Sequence, residues 1–247
     1  MSYIDDYMGE REFLIRDDGL LEDDRSNFKL ILKEKLSFDP VEVAAKVQHL
    51  SANPYGDWVA HASVLKLLTE FFPNESEYKI MEIGCAGGFW IKTMSNLMEV
   101  LAPGKTKAIG MDSMLHTYKP EESNFDGYKV RFVEGKTTDK SVVDTLPDEC
   151  HYIFIDACHC DVHVCKDAKM FAPKVKKGGV LAFHDSSPRF QRGSEQPKTP
   201  ECNQEDTRIG VVKGIAAANL VDEFDFLLEE YHTDNFYYGG VTAFRKR

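Results

Sequence analysis

Four residues stand at positions where they could move a proton together: Asp156 and His159 in the run FIDACH, and His184 and Asp185 at the end of VLAFHD. Each pair closes an apolar, strand-like segment. An imidazole with an ordinary pKa near ~6.5 suits a general base at neutral pH, which gives that role to His159. The carboxylates of Asp156 and Asp185 offer oxygen to a divalent ion, Mg²⁺ or Mn²⁺. Such an ion would bind a substrate oxygen and lower its pKa. His184 either ligates the ion, orients the substrate or does neither. A second reading gives Asp156 a capping role on the helix that follows, with no metal.

The elements around these residues must bring the two pairs together. Strands are expected at 78–84, 106–112, 128–134, 151–156 and 179–185, with helices at 57–72, 88–101, 138–146 and 162–173. Strands separated by helices call for a parallel sheet with right-handed crossovers and helices on both faces. After a helix at 208–220, FDFLLEEY and FYYGGVTAFRK are joined by the short turn HTDN. So short a connection makes them antiparallel. The expected fold is α/β, a Rossmann-like doubly wound sheet of five parallel strands plus a C-terminal antiparallel hairpin, seven strands in all. In that order the fourth and fifth parallel strands are neighbours, so their tips converge.

The first core strand runs into MEIGCAGG, with Glu82, Gly84, Gly87 and Gly88 at the turn. Glycine there permits a tight turn and close approach of a ligand to the main chain. The N–H groups opening the next helix suit an anionic or polar ligand. Tight strand–helix packing would also require glycine, and the spacing is not the dinucleotide G-x-G-x-x-G. Two further strand ends strengthen the case for a ligand. AIGMDS places Asp112 where a ribose diol would be held, or where it would cap the next helix, and VEGKTTD places Gly135 at a third strand end.

Together, MEIGCAGG, Asp112, FVEGKTTD, YIFIDACH, KKGGVLAFHD and the closing YYGGVTAFRK resemble class I S-adenosylmethionine-dependent methyltransferases over about residues 78–247. YIFIDACH and KKGGVLAFHD are similar to small-molecule O-methyltransferases of the macrolide-sugar type, with I-D-x-x-H and G-G-x-x-x-x-H-D motifs. The resemblance implies S-adenosyl-L-methionine as cofactor. It assigns Glu82, Gly84 and Gly87 to the methionine end, Asp112 to the ribose, and Gly135 with Lys136 to the adenine. It also implies Asp156 and His159 as catalytic residues, Asp156 and Asp185 as metal ligands, and a small hydroxylated substrate; His184 is a catalytic candidate from its place beside Asp185 alone. The chain departs from that pattern at Lys136, Ala157, Cys158 and His184. Other readings are a silent nucleotide-binding protein of this fold, a methyltransferase acting on nitrogen or a nucleoside, and an NAD oxidoreductase lacking its fingerprint.

Composition sets outer bounds. A chain of 247 residues with 43% hydrophobic content supports one sizeable core. A formal charge of −11 opposes a groove tracking nucleic acid backbone. The acidic N-terminus and the lack of an ~18-residue apolar run lead to the expectation of a cytoplasmic protein without membrane contact. Residues 1–56 are expected as an arm and helix serving as lid or homo-oligomer contact, and 57–247 as the cofactor-binding domain.

The cluster Cys150, His151, Cys158, Cys160, His163 and Cys165 lacks the paired C-x₂₋₄-C loops of structural zinc. These cysteines are expected to be reduced core fillers. Residues 186–208 are expected to form a lid over the site.

Overall fold

The computed structural model describes residues 20–22, 28–32, 37, 58–115, 124–125, 128–186, 210–232 and 240–247. The strands are β1 (Leu20–Glu22), β2 (Phe28–Leu32), β3 (Tyr78–Ile83), β4 (Thr106–Asp112), β5 (Asn124–Phe125), β6 (Tyr128–Glu134), β7 (Cys150–Ile155), β8 (Val175–His184), β9 (Phe224–His232) and β10 (Val241–Lys246). The helices are α1 (Trp58–Phe71), α2 (Phe89–Leu101), α3 (Lys140–Val143), α4 (Asp161–Phe171) and α5 (Gly210–Ala218).

All strands join one sheet in the order β1-β2-β9-β10-β8-β7-β3-β4-β6-β5. The five central strands, from β8 to β6, are parallel; β10 runs antiparallel to β8 and β9 antiparallel to β10. These seven strands are the expected fold. Three short strands extend it. β2 pairs with β9 and β1 with β2, while β5 pairs with β6. Part of the N-terminal arm therefore belongs to the sheet. The run FKLIL, after the acidic DDGLLEDDR, carries that signal.

β7 is buried at all six positions, as a central strand covered on both faces must be. Its residues alternate between layers. Tyr152 and Phe154 pack with Leu65 and Leu68 of α1 and Met94 of α2, while Ile153 and Ile155 pack with Val164 and Phe171 of α4 and Ile215 of α5. Each such large side chain, fully buried, contributes roughly 1.5–3 kcal/mol. The chain starts the parallel set at β3, builds outward through β4 and β6, then returns to lay β7 on the other side of β3. That reversal opens a crevice between the carboxyl ends of β3 and β7, where open α/β sheets take their ligands.

Two elements differ from expectation. α3 spans four residues rather than 138–146, since Asp139 caps it through Ser141 N–H and the following Pro147 disfavours helix at Leu146. β8 begins at Val175, four residues early, because Val175 already pairs with Cys150. The expected helix at 39–51, Arg189, Arg192 and nearly all of the 186–208 loop lie outside the described residues. Among the described residues no helix is long and apolar enough to cross a membrane.

Candidate active site

The parallel ladder aligns the strand tips. Ile83 pairs with Met111 and with Ile155, Asp112 with Glu134, and Ile155 with Phe183. One step beyond these partners, Asp112, Gly84, Asp156 and His184 fall in a transverse row. Backbone bonds carry the ladder past the strands: Asp156 N–H donates to Ile83 O at 2.8 Å, Gly84 N–H to Met111 O at 2.8 Å, and Gly135 N–H to Asp112 O at 2.8 Å. Gly84, at φ +86°, is required here. A Cβ would collide with Asp156 O and stand 2.5 Å from Ala157 Cα, so this glycine lets two strand tips touch.

A cleft of about 430 Å³ opens along this row, within the range of small-molecule sites. Its walls include Gly84, Asp112, Gly135, Lys136 and Asp156. Asp112 shapes one side: its Oδ2 accepts Ala86 N–H at 2.7 Å and its Oδ1 accepts Met114 N–H at 2.9 Å. A carboxylate has about four lone-pair sites, so acceptor capacity remains for a diol. Glu82 and Gly87 do not line the cleft. Glu82 lies beneath it, 1% exposed, and accepts Ile91 N–H at 2.7 Å in the first turn of α2. Burial, reinforced by the Asp156 charge, pushes its carboxyl well above the usual range. A larger hollow of about 530 Å³ is lined by Phe71, Phe72 and Arg245, at the opposite end of β8 from His184 and away from the row.

The acid–base residues converge beside the cleft. Asp156 Oδ1 lies 2.9 Å from His184 Nδ1 and 3.2 Å from His159 Nε2. His159 Nδ1 lies 3.3 Å from Asp185 Oδ2. All four side chains are largely buried, between 12% and 18% exposed. Burial alone would raise the Asp156 pKa, but the His184 charge and hydrogen bonds from both imidazoles bring it down to about 2. Burial disfavours charge on His159; its hydrogen bond to Asp156 and the charges of Asp185 and Asp156 outweigh that and raise its pKa above the ordinary value. Asp185 sits at φ +47°, and its buried Oδ1 has no hydrogen-bond partner among the described residues. Asp156, His159 and His184 place ligand atoms within 4.8 Å of one another, as a divalent ion would need.

Sequence reasoning missed Asp167. It is 2% exposed, bonds the Thr137 hydroxyl and lines the cleft. Burial raises its pKa to about 6, against the Thr137 hydrogen bond and the Lys166 charge. The available signal was a lone acid on the helix face that carries Val164, Ala168 and Phe171. The cysteine cluster divides. Cys150 is a core filler, 0% exposed, whose thiol burial pushes up to about 12. Cys158, Cys160 and His163 instead converge, contrary to the expectation of separate core fillers.

Residues 81–186 match the family described as Methyltransferase domain. The match covers less than half of the chain and likens this segment to a methyltransferase domain. The methyltransferase fold recurs in solved structures of low identity. The chain is similar to an O-methyltransferase from Bacillus cereus in complex with SAH, at 15% identity, covering 87% of this chain and 93% of that one with a TM-score of 0.51. It is similar to the MycE methyltransferase of the mycinamycin pathway with Mg, SAH and mycinamycin VI, at 17% identity, 85% and 55% coverage and a TM-score of 0.50. The CurJ carbon methyltransferase gives 15% identity, 85% and 61% coverage and 0.50. The chain thus spans little more than half of the MycE protein. Oxygen and carbon methyltransferases share this fold, so the acceptor has to be argued from the site. No curated protein matches the sequence.

Proposed function

We propose that this methyltransferase moves the methyl group of S-adenosylmethionine to a hydroxyl oxygen of a small molecule. The observation carrying this reading is His159, held between Asp156 and Asp185 at the end of the row that forms the cofactor cleft. Gly84 and Asp112 are proposed to receive the methionine end and ribose of the cofactor, and Gly135 with Lys136 the adenine. Glu82 and Gly87 are proposed to shape the turn from behind.

His159 accepts the hydroxyl proton at whichever ring nitrogen carries none. Imidazolium is the product of that transfer, and the two flanking carboxylates stabilise it, which makes His159 a stronger base than free imidazole. Asp156, ionised at every working pH, and His184 hold the ring in place. The freed oxygen then attacks the sulfonium methyl in line, with much of the acceleration coming from alignment of donor and acceptor. A divalent ion fits the same corner, where the buried Oδ1 of Asp185 lacks a hydrogen-bond partner among the described residues. Asp156 and Asp185 would hold Mg²⁺ or Mn²⁺, which would supply positive charge beside a developing oxyanion. The five described cysteines form no disulfide with one another, which suits the cytoplasm as the proposed location.

The test is calorimetric binding of S-adenosylhomocysteine against NAD, followed by transfer of labelled methyl to a panel of hydroxylated acceptors. Binding of the first ligand and turnover lost in His159→Ala are expected. Preference for NAD would overturn the cofactor assignment. Tight binding without turnover would leave a cofactor-binding protein that lacks the chemistry.

A further inference from the structure

The loop after β7 carries a second donor set that methyl transfer does not use. Cys158 and Cys160 stand two residues apart, and His163 follows in the first turn of α4. Their ligand atoms all lie within 4.8 Å of one another, and Cys160 Sγ is 2.8 Å from His163 Nδ1. Zinc binds thiolate at ~2.3 Å and imidazole at ~2.0–2.1 Å, so its tetrahedral ligands stand roughly 3.3–3.8 Å from each other. Small rotamer adjustments bring this set to that spacing.

The backbone carrying the donors is already braced. A Cβ at Gly210 would collide with His159 O and stand 3.3 Å from Cys160 Cα, so α5 packs directly on the loop. Cys160 is also the N-cap of α4, where the helix dipole favours negative charge on sulfur. Cys158 and His163 line the cleft together with Lys136, Thr137 and Asp167. An ion held here would therefore face the cleft on its fourth side.

We propose that Cys158, Cys160 and His163 form a binding site for Zn²⁺, three protein ligands with the fourth position open to the cleft, and that the bound ion competes with the cofactor. Two thiolates and an imidazole select Zn²⁺ over Mg²⁺ by softness. Binding displaces the thiol protons of Cys158 and Cys160 to solvent, with no change of oxidation state. The site stands on its own geometry; only the competition rests on the cofactor assignment above, since Lys136 and Thr137 border both ligands.

Co²⁺ titrated into the full chain under reducing conditions reads the site directly. One equivalent should give near-ultraviolet thiolate-to-cobalt absorption, and Zn²⁺ should abolish it. Cys160→Ser, and the half-buried Cys158→Ser as a second variant in case the first folds poorly, should each weaken Co²⁺ binding at least tenfold. Asp156→Asn should leave the thiolate absorption in place. A cobalt spectrum without thiolate absorption, or one unchanged in the Cys158→Ser/Cys160→Ser double variant, overturns the site.

S-adenosylhomocysteine binding should weaken tenfold or more in saturating Zn²⁺, and become insensitive to Zn²⁺ in Cys160→Ser. Equal binding with and without Zn²⁺ overturns the competition. Failure of S-adenosylhomocysteine to bind the zinc-free chain overturns the methyltransferase reading, and the cobalt spectrum still decides the site.

Discussion

Two donor sets arise from one stretch of loop, and they solve opposite problems. Asp156 and His159 turn toward β8, where His184 and Asp185 meet them; Cys158 and Cys160 turn toward α4 and meet His163. The first set is polar and nearly closed on itself: hydrogen bonds between carboxylate and imidazole hold the Asp156 pKa low and raise that of His159 with little exposure. The second is made of soft, weakly polar groups that pack without a counter-charge. Alternation along five residues thus separates proton chemistry from thiol chemistry by a single residue step.

The sharpest way to break this comparison is His159→Ala. Loss of a general base costs on the order of 10²–10⁴-fold in kcat. The cobalt–thiolate spectrum of the same variant should be unchanged, and a parallel loss would show that the two sets are one site. Next comes Gly84→Ala, which should damage both sets because a Cβ there strikes the tip carrying Asp156. A destabilisation of about 2–4 kcal/mol in urea unfolding is expected from the clash and the positive φ; a change within about 0.5 kcal/mol would show that the tips separate freely.

Asp185→Asn sharpens the first set. Activity requires neutral His159, so it falls as pH drops through the raised His159 pKa. Removing the Asp185 carboxylate lowers that pKa, and the acidic limb of the pH–rate profile should move to lower pH. An unmoved limb would take His159 out of the base role.

The smallest effect is at Asp167. Its folded pKa of about 6 exceeds the ordinary 3.8, so the folded chain holds the proton more tightly. Stability from this group is full below pH ~4 and lost as pH rises through ~6. Asp167→Asn should therefore gain about 1–3 kcal/mol at pH 8 and nothing at pH 4, by thermal melts. A uniform gain would assign the effect to packing.

Much of the scaffold was legible because central parallel strands are apolar on both faces. The expected ranges at 106–112 and 128–134 coincide with β4 and β6, and the glycine turn, Asp112 and Asp156 sit on the row that the alternation required. Side-chain direction at loop positions was not legible. Glu82 looked like a ligand from its place near the turn, yet it points into the core and bonds Ile91 N–H. Cys158, Cys160 and His163 stood in a cluster that lacks paired C-x₂₋₄-C loops, and C-x-C followed by a helix gives no clue that the first helical turn brings the imidazole back onto the thiol. Asp167 was hidden in the same way, by a helix whose buried face carries one acid.

The margins of the sheet bear on how copies of the chain meet. Without β2, the outer edge of β9 would present a row of unmatched backbone donors and acceptors, an invitation to stack with a neighbour. Among the described residues, five residues of β2 cover that row, three-residue β1 lies outermost, and two-residue β5 covers the start of β6 at the far margin. Strands so brief make poor templates for edge-to-edge growth. Any self-association of this protein is therefore better sought through its helical faces than through continuation of its sheet.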